Sequence, residues 1–317
     1  MDGAEKDIHL TVVVVSWNTR DLLSQCLTSV QCSLQEHSFQ IIVVDNASKD
    51  GSVEMVNESF PDVILLKNRK NIGFARANNQ AFKLAENSRY VLLLNSDTIL
   101  LRDTIQAMLD FMELNEKAGI VAPALRYPEG GFQQGGGFDP SLSTAFNYFS
   151  FLSVLFPHTY RGMFVNQKKL SLSRKPIKID WVAGTCMLIK KAVINATKGF
   201  DEAYFMYAED IEWCSRVRKH GWDIYYLPYL EIVHCHGASM KESSDHWLKS
   251  LIAYMKATRG IGQTILFRLI AAWGFSLRFM LCIFASIVTK KRELTTKAHQ
   301  MYRSSKSSLG WQKNLHE

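Results

Sequence analysis

The sequence predicts an α/β domain built on a mostly parallel sheet, followed by a helical C-terminal segment, and three observations carry that reading. Short β-branched or apolar runs at 10–16, 41–44, 63–66 and 90–94 alternate with stretches of helical periodicity, the signature of strands joined by right-handed crossovers. Polar and acidic residues gather directly after those runs, at the carboxyl ends of the strands, where open α/β sheets bind their ligands. The chain is 47% hydrophobic and 21% charged with no low-complexity tract, so it can bury a core. Its 317 residues suit one large domain plus an appendage, here divided as 1–240 and 241–317.

Taken in order, residues 10–16 read as a buried parallel strand. Thr19 stands where it can cap the helix that follows, in which Leu23, Cys26, Leu27 and Val30 recur at helical spacing. The second run, 41–44, ends at Asp45 and a turn of Asn, Ser, Asp and Gly. The third, 63–66, precedes the segment 68–73, and a helix starts at about Ala75. The fourth ends at Asn95-Ser96-Asp97. Residues 130–137 (GGFQQGGG) lack a strand before them and a helix start after them, so they read as a flexible loop and not as a phosphate cradle. Residues 141–165 are apolar and aromatic and suit either core or a lipid-facing surface. A further strand is expected at 181–189, and a helix at 207–220 closed by Gly221. No period of repeat-protein length runs through the chain.

The net charge of +7 is placed unevenly. Residues 241–317 carry 13 Lys/Arg against 4 Asp/Glu, and the remainder 24 against 26. A tail both basic and apolar fits an anionic membrane surface better than a nucleic acid. Were 265–288 to span, Arg278 would sit near the bilayer centre at about 2.5–3.5 kcal/mol. The clean apolar stretch beyond it is about ten residues, short of the ~20 a span needs. The expectation is therefore helices lying in the interface, with Arg268, Arg278 and Lys290-Lys291-Arg292 reaching headgroups, a buried helix packed on the main domain being the other reading. Six cysteines without a CxxC or zinc-ribbon spacing indicate a reducing compartment. The polar, acidic N-terminus does not resemble a secretory signal, which points to the cytosolic side of a membrane.

Four groups carry candidate chemistry. Asp45 is either a turn former or a carboxylate placed to accept bonds from an imide or a ribose. Asp97, at the end of a leucine-rich strand, suits Mg²⁺ or Mn²⁺. Glu209 and Asp210 open a helix after an aromatic run, which makes them caps or a rigidly held general base. His234 and His236 flank Cys235 with rings on one strand face, a metal-site spacing; one histidine joining Asp97 on a catalytic ion is the sharper reading, a structural zinc site the blunter one.

In order, the segments VVVVSWNTRDLL, VVDNASKDGS, NIGFARANNQAF, LLLNSDT, WVAGTCML, GFDEAYFMYAEDIEWCSRVRKHGW and VHCHGAS resemble glycosyltransferase family 2, over about three-quarters of the chain. That resemblance implies a Rossmann-like GT-A fold and an inverting transfer of a sugar from a nucleotide diphosphate. It places Ser16, Asn18 and Asp45 around the nucleotide, and Gly73, Phe74, Arg76 and Asn79 along the donor pocket, with Arg76 as a diphosphate contact. Asp97 matches the last acid of the family's Asp-x-Asp metal motif, beside Asn95 and Ser96 in the donor site. Gly184 falls beneath the sugar and acceptor, Asp210 matches the catalytic base with Glu209 beside it, and His234 matches a histidine that completes the metal site.

Asn95 departs from the stricter motif, which has an acid there; Asn retains an oxygen ligand. The implied partners are a divalent cation (Mg²⁺ or Mn²⁺), a dTDP- or UDP-linked sugar such as rhamnose or a hexose, and a glycan or lipid-linked saccharide acceptor of cell-surface polysaccharide synthesis. The implied location is the cytoplasmic face of the inner membrane, peripheral or monotopic. A nucleotidylyltransferase would need a glycine-rich loop after the first strand, where Ser16-Trp17-Asn18-Thr19-Arg20 stands. A non-catalytic nucleotide-sugar-binding or scaffold protein is the alternative from another class, supported by Asn95 and opposed by the joint presence of Asp45, Asp97, Asp210 and His234.

Overall fold

The computed structural model describes residues 8–34, 38–156, 159–165, 174–235, 245–290 and 292–310. Strand β1 (Ile8–Ser16) buries Leu10, Val12, Val13 and Val14, and α1 (Arg20–Ser33) turns Leu23, Cys26, Leu27 and Val30 onto the same core. The alternation continues through β2 (Phe39–Asp45), α2 (Ser52–Ser59), β3 (Ile64–Lys67), α3 (Phe74–Leu84) and β4 (Ser88–Asn95). Then come β5 (Thr98–Leu100), α4 (Thr104–Leu114), β6 (Ala118–Arg126) and the two-residue β7 (Gly136–Gly137). The later elements are α5 (Leu142–Phe149), α6 (Leu152–Leu155), β8 (Ile177–Ile179), β9 (Trp181–Val182), β10 (Cys186–Lys190), α7 (Lys191–Thr197), α8 (Glu209–Lys219), β11 (Asp223–His234), α9 (Asp245–Thr289) and α10 (Arg292–Leu309).

The main sheet runs β3-β2-β1-β4-β10-β6-β11-β5, with β8 paired to β11. β3, β2, β1 and β4 are parallel, and register puts Ser16 beside Asp45 and Val15 beside Asn95, so the polar strand ends share one edge. The sheet is mixed, mostly parallel in strand direction: β10 is antiparallel to both β4 and β6, and β5 and β8 are antiparallel to β11. The expected single strand at 181–189 is broken. Gly184 and Thr185 form a turn, so β9 pairs with β7 while β10 enters the main sheet reversed.

Two local expectations are corrected. Thr19 stands at the N-cap of α1 but makes no capping bond; its hydroxyl lies 3.0 Å from that of Ser16 and 2.8 Å from that of Ser96. The glycine-rich stretch 130–137 is held by pairing: Phe132 bridges Arg126, β7 joins β9, and Gln133 is buried.

The chain divides into two compact units, one formed by Met1–Gly137 with Gln167–Lys241, the other by Phe138–Asn166 with Glu242–Glu317. The first contains every strand named above. In the second, α9 is broken at Gly260, whose φ of 80° suits a residue without Cβ, and continues as a long apolar helix. This is the one helix among the described residues long and apolar enough to cross a membrane, by length and composition. Within 141–165, Ala145 and Phe149 are buried, as the core reading expects, whereas Phe146, Leu155 and Phe156 are exposed. Gly274 lets the Phe149 ring lie directly against α9.

Arg268 and Arg278, expected at headgroups, turn inward. Arg278 donates at 2.8 Å to the carbonyls of both Tyr148 and Phe149, capping the end of α5, and sits over the rings of Tyr148, Phe149 and Phe151. Arg268 donates at 2.7 Å to the Ser308 carbonyl at the end of α10. Orphan carbonyls at helix C-termini are favourable places for a guanidinium, more so here than a reach into solvent.

Candidate active site

The site begins where β1 and β2 end. Asp45 is buried; one carboxylate oxygen accepts from Ser48 N at 3.0 Å, while Oδ1 is buried with no protein partner. Asn18, at φ 54°, accepts from Lys49 N at 2.8 Å and donates its own N–H to the Ser48 hydroxyl at 2.9 Å, so the two loops brace each other. Buried Asn46 donates to the Gly73 carbonyl at 3.4 Å and accepts from Asn68 at 2.9 Å. The two loops thus hold each other in place, and Asp45 Oδ1 is enclosed without a protein hydrogen-bond partner. The Ser16 hydroxyl, at the end of β1, is buried 3.0 Å from that of Thr19.

Gly73, at φ 86°, leads into α3, and a Cβ there would come within 2.6 Å of the Phe205 carbonyl. Phe74 N donates to that same carbonyl at 3.0 Å, and the Phe74 ring lies 3.0 Å from where a Cβ on Gly184 would stand. These two glycines therefore bring three backbones close together. Asn79 spends both ends of its amide on the backbone of Phe200, at 2.9 and 3.0 Å, and Arg76 is exposed beside Glu202 at 3.3 Å. Both side chains tether the 199–205 segment; the guanidinium of Arg76 stays open to solvent for a further anionic contact.

Asp97 and His234 meet because β5 pairs antiparallel with β11, setting Thr98 opposite His234, and Cys235 N donates to the Asp97 carbonyl at 2.8 Å. His234 Nε2 lies 3.2 Å from Asp97 Oδ1, and both side chains are buried. Gln133, which sequence reasoning assigned to a loop, fixes this histidine. Its Nε2 donates to the His234 carbonyl at 2.5 Å, so its Oε1, 2.6 Å from His234 Nδ1, must accept from an Nδ1–H. With Nδ1 turned to Gln133, Nε2 is the ring atom that faces the Asp97 carboxylate, and a nitrogen and an oxygen so placed are of the kind that suit Mg²⁺ or Mn²⁺. Among the described residues no group of three or more His, Cys, Asp or Glu side chains is placed to hold a metal. Asp97 and His234 are thus two candidate ligands, a number that suits Mg²⁺, which is commonly held by few protein groups. Asn95 stands two residues before Asp97 at the end of β4, its N–H bonded to the Thr185 carbonyl at 2.9 Å; Ser96 is turned inward to Thr19. His236 lies outside the described residues.

Asp210 opens α8. Its Oδ2 accepts from Gly184 N at 3.3 Å and its Oδ1 from Ile211 N at 2.8 Å. Burial pushes its carboxyl up to about 6, the backbone N–H donors holding it back from rising further. Glu209 is buried beside it with Oε2 unpartnered, and is raised by burial first and by the Asp210 charge second. The chain enters α8 through Tyr207 and Ala208, both at positive φ, 68° and 65°, a strained conformation for residues with a Cβ. Arg216 secures the far side, chelating Glu212 and donating to the carbonyls of Thr197 and Gly199. One short path joins the groups: Asp97 to Asn95 by chain, Asn95 to Thr185 by hydrogen bond, and Gly184 to Asp210.

Comparison with known proteins follows the same lines. The model of the family described as glycosyl transferase family 2 matches residues 11–195, more than half of the chain. The chain is 28% identical over 235 residues to the N-acetylglucosaminyl-diphospho-decaprenol L-rhamnosyltransferase of Mycobacterium tuberculosis, covering 71% of this chain and 75% of that one. It is 25% identical over 264 residues to rhamnosyltransferase WbbL of Escherichia coli, covering 78% of this chain and 93% of the other. Among solved structures, the mannosyltransferase of Pyrobaculum calidifontis in complex with GDP-Man and Mn²⁺ shares its fold at a TM-score of 0.59, with 17% identity, over 96% of this chain and 87% of that one. Matched by the family model over more than half its length, and folded as such enzymes are, the chain belongs to glycosyl transferase family 2 and is a glycosyltransferase of the GT-A fold.

Proposed function

We propose that this enzyme moves rhamnose, or failing that a hexose, from a dTDP- or UDP-linked donor to a hydroxyl of a lipid-linked saccharide in cell-surface polysaccharide synthesis, with inversion. Two rhamnosyltransferases among its relatives support the sugar, and the decaprenol-linked substrate in the name of one supports the acceptor. In this reading Asp45 accepts from the base or ribose with its unsatisfied oxygen, and Arg76 approaches the diphosphate. Asp97 and His234 hold the divalent ion, which when bound supplies positive charge to the departing diphosphate. Asp210 takes the proton of the acceptor hydroxyl as that oxygen attacks the anomeric carbon from the side opposite the nucleotide.

The observation that carries the proposal is the Asp210 carboxyl: half-buried, fixed by two backbone N–H groups, and raised to about 6, near the pH at which a general base works best. The functional reading assigns catalysis to residues 1–240 and membrane attachment, at the cytoplasmic face, to 241–317. The test is calorimetric titration of the chain with dTDP-rhamnose and a set of UDP-hexoses, with and without Mn²⁺, followed by transfer to a polyprenyl-diphosphate sugar. Metal-dependent binding of dTDP-rhamnose with an inverted product is expected. Binding of a UDP-hexose alone would move the donor assignment, and a product of retained configuration would remove the single displacement.

A further inference from the structure

Beyond the break at Gly260, α9 presents Ile265, Leu269, Met280, Phe284, Ile287 and Val288 to solvent, each more than half exposed. Their spacing of three to four residues, or multiples of it, keeps them along one side of the helix, and residues 260–289 contain no acid. The opposite side is packed: Phe267, Ala271, Ala272 and Phe275 are buried. α10 runs back antiparallel along α9. Ser286 meets Thr295 at 2.8 Å, Ser276 meets Ser305 at 3.0 Å, and Arg268 holds the Ser308 carbonyl.

That pairing decides how the apolar helix can meet a bilayer. α10 exposes Glu293, Lys297, His299, Gln300, Arg303 and Lys306. If α9 crossed the membrane, this arm, tied to it over most of its length, would be drawn into hydrocarbon with its charges unpaired. Lying in the plane of one leaflet, the same hairpin sinks its apolar side chains and keeps the charged arm at headgroup level. The exposed charges are mainly basic, Lys290, Lys297, Arg303 and Lys306 against Glu293, which matches an anionic surface.

We infer that α9 and α10 form an in-plane, monotopic anchor for an anionic bilayer, and not a span. The inference rests on the membrane-surface part of the proposed function, and it does without the headgroup contacts expected from sequence for Arg268 and Arg278, which are spent inside the unit as helix caps. Flotation of the full chain with vesicles of phosphatidylcholine, with and without phosphatidylglycerol, tests it. Strong flotation with the anionic vesicles is expected, lowered roughly tenfold or more by Phe284→Glu combined with Ile287→Glu. A cooperative melt at the wild-type temperature shows that the variant folds. Undiminished flotation of that variant, or equal flotation with neutral vesicles, overturns the anchor. A nitroxide at Lys306→Cys stays reducible by ascorbate added outside the vesicles; protection from ascorbate overturns the in-plane placement. Transfer to a detergent-dispersed acceptor without flotation would sink the anchor alone, and flotation without transfer would sink the acceptor assignment alone.

Discussion

Two regions of this enzyme bury charged or polar side chains among apolar neighbours, and they treat them in opposite ways. In the C-terminal unit, Arg278 and Arg268 are matched to carbonyls at helix ends and to aromatic faces. At the carboxyl edge of the sheet, Asp45 and Glu209 each keep an oxygen with no protein partner, and Asp210 is held only by backbone N–H groups. A buried polar atom without a partner costs stability, so a fold retains one where something else is gained. The satisfied arginines hold helices together, and the unpartnered oxygens of Asp45 and Glu209 belong to residues of the candidate site.

The largest effect that sharpens this contrast is expected at Asp210. Asp210→Asn keeps the shape of the side chain and an acceptor for one of the two backbone N–H groups but removes the base, so turnover should fall roughly 10²–10⁴-fold while circular dichroism and the melting curve stay those of a folded chain. In the wild type, the transfer rate should climb as pH rises through about 6, where the raised carboxyl gives up its proton, and then level off. The residual rate of the variant should lack that limb. A variant turning over at near-normal rate would assign the base elsewhere. Next in size is Gln133→Leu. It leaves Asp97 and His234 in place but frees the ring and its tautomer, and second-shell losses of this kind lower metal affinity roughly 10–100-fold. Titration of Mn²⁺ in the presence of nucleotide diphosphate measures this, and unchanged affinity would reduce Gln133 to a packing residue.

Arg278, in the C-terminal unit, should act on stability and not on the candidate site. Arg278→Met removes the donors that cap α5, leaving the Tyr148 and Phe149 carbonyls short of partners. Unfolding in urea should show a loss of about 1–3 kcal/mol, with Mn²⁺ and donor binding unchanged. A loss of donor binding would show that this arginine serves the site as well.

How far the sequence foretells these regions follows from the range of the interactions. The β-branched runs, the strand-end acids and the α8 helix are local patterns and were legible as such. The reversal of β10 was not, because a buried strand reads the same in either direction and only its neighbours Leu92 and Val121 distinguish them. Gln133 was hidden among glycines: nothing within its own segment signals a partner 101 residues away. Thr19 looked like a cap because capping is judged from the following turn, whereas its actual partner Ser96 lies in the turn after β4, 77 residues away. Arg278 was read against a membrane since the carbonyls it serves lie 129 and 130 residues upstream.

The smallest effect probes the contrast from the other side, by making the site more stable. Glu209 is 6% exposed, its Oε2 has no partner, and burial together with the Asp210 charge raises its carboxyl well above the ordinary range. A carboxyl whose folded pKa exceeds its unfolded value stabilises the fold while protonated, and that contribution is lost as pH rises through the folded pKa. Glu209→Gln keeps the shape and removes the charge, so the variant and the wild type should melt alike in mild acid and diverge as pH rises. The gain above neutrality should be about 1 kcal/mol, on the order of 2–4 °C in Tm. Donor turnover should not rise with it, since the unpaired acid is retained for chemistry beside Asp210. Differential scanning calorimetry from pH 5 to about 8 reads the divergence directly. A variant that melts below the wild type across that range would mean that Glu209 is satisfied in the folded enzyme, and the line drawn between architectural and chemical polarity would then have to exclude it.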